Sequence, residues 1–142
     1  MNQNARVLYT AKVRTIGGPK SSISRSYDGV LDIRFSPRGT SLIGTNPEQL
    51  FAASWSACLL CALTADARKR NISLPVDVRI EAEVDLCEGA ESHFLQARFR
   101  ICIPDLERGV ARNLVNAAFE SCPYSKAARG NVDIDIDLSA EA

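Results

Sequence analysis

Residues 46–71, NPEQLFAASWSACLLCALTADARKRN, decide the fold. Asn46 can cap a helix, Pro47 suits the first helical position and Gln49 completes a capping-box-like arrangement, so a helix is predicted to open here. It is expected to run to about Arg70, where Asn71 can take the left-handed conformation that ends helices. From Leu50 through Ala65 no residue is charged, which leaves this helix without a wet face for about four turns. Such a helix is expected to be buried nearly all round. One small domain can hardly enclose it, and a partner subunit covering one side is the economical expectation.

Outward from this helix, the N-terminal side reads as strands. Val7, Tyr9, Ala11 and Val13 alternate with polar neighbours, and a second extended pair, around Ile23 and around Leu31, Ile33 and Phe35, is joined at the turn signal Asp28-Gly29. The segment from Gly17 to Lys20 is expected to connect them. On the C-terminal side, Val76, Val78, Ile80, Ala82, Val84 and Leu86 alternate against charges, as do Leu95, Ala97, Phe99, Ile101 and Ile103, with Glu88-Gly89-Ala90 as the turn of a hairpin. A second helix is predicted from about Asp105 to Ser121, with Leu106, Val110, Leu114 and Ala118 on one side and Pro123 stopping it. A short helical turn ends at Gly130. The last strand puts Val132, Ile134, Ile136 and Leu138 on one face and Asp133, Asp135 and Asp137 on the other. Strands, helix, strands, helix, strand is an α+β order.

The 142 residues are enough for one ordinary domain, and we read 1–142 as a single one. Seventeen basic residues balance seventeen acidic ones, so neither a nucleic acid nor a membrane is expected as a partner. The first residues lack the basic start and apolar run of a signal peptide, and the longest apolar run, Ala57 to Leu63, is short for a bilayer span. A cytoplasmic protein is therefore expected. In that compartment five cysteines, Cys58, Cys61, Cys87, Cys102 and Cys122, read as free, catalytic or redox-active thiols rather than a structural framework.

His93 is the only histidine, no phosphate-binding glycine motif is present, and no cysteine set has zinc-finger spacing. That removes the raw material for hydrolytic triads and most metal sites, and His93 itself reads as an edge residue beside a turn. Cys58 lies midway along the apolar helix, where a cysteine by position alone is a small packed hydrophobe. For it to be reactive a cation must be brought near, because burial raises a thiol pKa and the helix N-terminus is too far away to help. Cys122 closes a helix, where the negative end of the dipole disfavours a thiolate and suits a thiol that resolves rather than attacks. Cys58-Leu59-Leu60-Cys61 has Cys-x-x-Cys spacing but lies mid-helix rather than at a helix start, so packing is the better reading for Cys61. Cys87 and Cys102 likewise read as structural.

The segment Gly44-Thr45-Asn46-Pro47-Glu48-Gln49-Leu50-Phe51-Ala52-Ala53, with Ser56-Ala57-Cys58, Ser121-Cys122-Pro123-Tyr124-Ser125 and Arg129-Gly130-Asn131, resembles the organic hydroperoxide resistance (Ohr) branch of the OsmC/Ohr family. The resemblance runs through the whole chain in order. It implies an intertwined homodimer with two long central helices and surrounding antiparallel sheets. It implies a cysteine-based organic hydroperoxide reductase in which Cys58 is peroxidatic, Cys122 resolving and Glu48 part of the active site. It further implies dihydrolipoamide or a lipoylated protein as reductant, with no cofactor. Phe51, Leu59 and Trp55 would favour alkyl or fatty-acid hydroperoxides. The family places an arginine directly after a Gly-Gly pair in the first loop, where this chain has Gly17-Gly18-Pro19-Lys20. Lys20 is the first candidate for the cation and Arg25 the reserve, although an ammonium lacks the planar fork that would hold thiolate and carboxylate together.

Glu48 and Cys58 are ten residues apart, about 15 Å along a straight helix. If the carboxylate serves that thiol, either the helix breaks or Glu48 arrives from another subunit. Glu48 at a helix start is also explained by the dipole alone. The competing reading of the chain is an OsmC-like redox sensor or apolar-ligand-binding protein without efficient peroxidase activity.

Overall fold

The structure is a computed structural model that describes residues 5–18, 21–41 and 43–139. The chain divides into two compact units, Met1–Pro47 and Glu48–Ala142. The first unit is an antiparallel meander of β1 (Val13–Gly18), β2 (Ser21–Ser26) and β3 (Asp32–Phe35). Asp28-Gly29 makes the turn between β2 and β3, with Gly29 at φ 76° and the Asp28 carboxylate accepting from the Val30 N–H at 3.1 Å. A parallel bridge, Phe35 to Thr45, brings the chain back beside β3. There Gly44 passes so close to Ser36 that any side chain on it would collide.

The strand expected from Val7 to Val13 instead begins at Val13. Val13 pairs with Ser26, the last residue of β2; Lys12 O still accepts from Tyr27 N at 3.0 Å beside the turn, and the described residues 5–12 form no strand. Alternation alone does not make a strand; a free edge beside it does.

The second unit contains α1 (Pro47–Lys69), β4 (Arg79–Glu88), β5 (His93–Cys102), α2 (Arg108–Ser121), α3 (Pro123–Ala128) and β6 (Asp133–Ser139). β4 and β5 form the expected hairpin, in register from Arg79–Cys102 to Glu88–His93. β6 lies on the other side of β5 and runs parallel to it, so the expectation of antiparallel sheets fails here. The cause is the crossover: α2 and α3 occupy the connection, and a connection of that length can return the chain in the direction it came. Ala97, Phe99 and Ile101 of β5 face a core shared with Trp55, Leu59, Leu63, Leu114, Val115 and Phe119. On the opposite face Arg98 bridges Glu83 at 2.7 Å and Arg100 bridges Glu81 at 3.2 Å, both exposed.

The second helix starts at Arg108 rather than Asp105. Asp105 has φ 60°, incompatible with a helix, and Glu107 caps the start by accepting from the N–H groups of Gly109 and Val110 at 2.8 and 2.9 Å. α1 has the predicted bounds, and Asn71 ends it at φ 56°. By length and composition alone α1 is long and apolar enough to cross a membrane, a test that core helices pass as well. In the chain it is a core helix on one side only: Trp55, Leu59, Leu63, Asp66 and Ala67 are buried. Ala53, Ala57, Leu60, Cys61 and Thr64 stand on an open face, so all-round burial is not reached within one chain.

Candidate functional site

The site is built where α1 meets the corner between α2 and α3. Cys122 is that corner: its N–H bonds to Ala118 O at 2.8 Å, closing α2, and its carbonyl accepts from Lys126 N at 3.0 Å, opening α3. Pro123 occupies the first helical position of α3, which its fixed φ suits. Two side-chain bonds fasten the corner to α1. The buried Trp55 indole N–H donates to Ser125 Oγ at 2.9 Å, and Ser121 Oγ donates to Asp66 Oδ2 at 2.7 Å. Phe51 and Phe99 flank Trp55 with ring centroids at 5.3 and 4.9 Å.

Between these two fastenings, Cys58 of α1 meets Cys122. The Cys122 thiol and the Tyr124 backbone N–H both lie near enough to act on the Cys58 sulfur. Cys122 is fully buried and Cys58 half-buried, and all five cysteines are unbridged thiols. Burial pushes the Cys58 thiol above its ordinary value; the Tyr124 N–H opposes this, and the nearby Cys122 and Cys61 thiols reinforce it. The sequence placed Cys58 too far from the N-terminus of its own helix, α1, for help from that dipole. The start of α3 supplies one of its free backbone donors instead. Pro123, read as a helix stop, carried the signal for that second start.

An apolar cleft of about 410 Å³ opens beside the corner, lined by Phe51, Pro123, Tyr124, Ala128 and Val132 among others. Of the three residues expected to receive substrate, Phe51 lines this cleft. Trp55 and Leu59 are 0% and 1% exposed and belong to the core. Glu48 sits in the first turn of α1, and its Oε2 is sealed from solvent with no hydrogen-bond partner among the described residues. Because α1 is unbroken from Pro47 to Lys69, Glu48 and Cys58 of one chain stay about 15 Å apart. Lys20 lies outside the described residues. Arg25, on β2, is paired with Asp32 at 3.0 Å. Cys61, expected to pack, is instead exposed on the open face of α1, whereas Cys102 is buried, with Arg79 Nη2 at 3.8 Å from its sulfur. No group of three or more His, Cys, Asp or Glu side chains among the described residues could hold a metal ion.

Residues 39–137 match the sequence model of the OsmC-like protein family. The organic hydroperoxide resistance protein OhrB of Bacillus subtilis is 43% identical over 136 residues, 92% of this chain and 98% of the relative. That of Xanthomonas axonopodis pv. citri is 37% identical over 138 residues, 94% of this chain and 96% of the relative. The crystal structure of Bacillus subtilis OhrB superposes with a TM-score of 0.86 at 41% identity, covering 94% of this chain and all of that one. With matching sequence along nearly its whole length and the same fold, the chain belongs to the OsmC-like family, in the branch formed by the organic hydroperoxide resistance proteins.

Proposed function

We propose that this chain is a thiol peroxidase that reduces organic hydroperoxides, of the alkyl or fatty-acid class, to alcohols. The observation that carries the reading is the juxtaposition of the Cys58 and Cys122 thiols at the α2–α3 corner, beside an apolar cleft. The Cys58 thiolate attacks the terminal peroxide oxygen; the O–O bond breaks, the alkoxide takes a proton and leaves as the alcohol, and Cys58 becomes a sulfenic acid. Cys122 then attacks the Cys58 sulfur, forming a disulfide and releasing water. Two thiols of dihydrolipoamide, free or carried on a protein, return both cysteines to the reduced state. The chemistry is carried by sulfur alone, in the cytoplasm, where thiols are kept reduced.

The thiolate must be stabilised against its burial. The Tyr124 N–H contributes, and Lys20, with Arg25 in reserve, supplies the cation. Glu48 reaches the Cys58 of a second chain in a homodimer whose centre is a pair of α1 helices. The unbroken helix excludes contact within one chain, and the open face of α1 is uncharged along the length a partner would cover. Phe51 lines the entry for the alkyl chain, with Trp55 and Leu59 as the core behind the reacting thiol.

The test is lipoyl-dependent turnover of cumene hydroperoxide. Cys58→Ser should abolish it, and Cys122→Ser should lose the Cys58–Cys122 disulfide and slow turnover at least tenfold. Wild-type protein whose thiols all stay reduced after stoichiometric peroxide would point to the ligand-binding or sensing alternative.

A further inference from the structure

Cys61 has no part in the two-cysteine scheme, yet it stands one turn beyond Cys58 on the same unbroken helix. Side chains three residues apart on a helix face one another, with Cβ atoms about 5–6 Å apart. A disulfide wants a Cβ separation of about 3.5–4.5 Å, so a small tightening of that turn joins the two sulfurs. Cys122 lies on the buried side of Cys58 and is fully enclosed, whereas Cys61 lies on the open face. The Cys58 sulfur is thus approached by one thiol from the core and another from the exposed side of α1. The remaining cysteines, Cys87 and Cys102, are on β4 and β5 rather than on α1.

We propose that Cys61 is a second resolving thiol for Cys58, taking over whenever Cys122 is absent or slow; this rests on the peroxidase reading above. The step balances as the first one does. The Cys61 sulfur attacks the Cys58 sulfenic acid, a sulfur–sulfur bond forms, the sulfur–oxygen bond breaks, and hydroxide leaves with the thiol proton as water. This reaction is intramolecular within one turn of α1, so no movement of α2 or α3 is required. Cys122, already in contact with Cys58, acts first in the wild type. A Cys58–Cys61 bridge would then mark protein in which the α2–α3 corner has drawn away from α1.

The experiment treats Cys122→Ser, and separately Cys122→Ala in case serine disturbs the buried corner, with one equivalent of cumene hydroperoxide. Intact mass, dimedone labelling and non-reducing peptide mapping follow. The expected result is a Cys58–Cys61 disulfide within single chains in most molecules, with Cys61 protected from alkylation after unfolding and dimedone labelling of Cys58 at least fivefold below that of Cys61→Ser/Cys122→Ser. A Cys58 sulfenic acid that persists beside a Cys61 alkylated freely after unfolding would overturn the assignment and leave the peroxidase reading intact. If Cys58 stays reduced in the wild type as well, the peroxidase reading itself has failed and the role of Cys61 falls with it.

Discussion

Asp66 does two jobs at once, accepting from Ser121 of α2 and pairing with Lys69 of its own helix at 3.1 Å. The Ser121 hydrogen bond, ahead of the lysine, holds its carboxyl below an ordinary aspartate, against the opposing effect of burial. A carboxyl whose pKa is lower folded than unfolded contributes stability that is present above the unfolded value, about 3.9, and lost as pH falls through the folded one. Asp66→Asn should therefore lower the urea midpoint at pH 7 and flatten the loss of stability between neutral pH and pH 3. Equal slopes in the two proteins would remove Asp66 from the acid response. Lys20 is tested on the same footing. Lys20→Met should move the alkylation profile of Cys58 to higher pH, and Lys20→Arg should keep it or lower it. An unchanged profile in Lys20→Met transfers the role to Arg25, where the same measurement decides.

The end of α1 shows what a helix boundary needs. Asn71 at φ 56° lets Ile72 N reach Ala67 O at 2.9 Å and Asn71 N reach Arg68 O at 3.1 Å, satisfying carbonyls the helix leaves open. Glycine adopts this conformation without a side-chain penalty, and a β-branched residue resists it. Asn71→Gly should hold or raise the melting temperature, and Asn71→Val should cost about 1–2 kcal/mol in denaturant unfolding. Both ends of α1 were legible because Pro47 and Asn71 are local signals, and the β4–β5 hairpin because period-two alternation flanks a turn. The first strand was misplaced because Val7–Val13 alternates whether or not a partner lies beside it. The parallel course of β6 is set by packing of α2 and α3, which no residue within β6 records. At the site, the two cysteine motifs were legible as motifs. The Tyr124 donor was not, since a backbone N–H has no side chain to announce it.

For the proposed dimer, the uncharged open face of α1 is the surface to test. Leu60 is 39% exposed there, with Ala57 and Cys61 beside it. Leu60→Glu places a charge on that face without entering the core of the chain, so it should convert a dimer into folded monomer in sedimentation and reduce turnover. A wild-type chain that sediments as monomer at micromolar concentration would remove both the dimer and the proposed reach of Glu48 across it. The ion pairs between Arg98 and Glu83 and between Arg100 and Glu81 lie on the far face of the sheet, exposed, where such pairs contribute little to stability. If the proposed dimer forms through this apolar face, high salt should leave it in place.

Trp55 is the sole tryptophan in the chain, sits one turn before Cys58, and hydrogen-bonds the residue three places after Cys122. Its indole is therefore an optical reporter wired to the thiol pair. A change in sulfur chemistry at Cys58 should alter what quenches its emission, and a loosening of the α2–α3 corner that admits water should shift that emission to the red. The two kinds of signal separate oxidation from opening in one label-free, time-resolved trace.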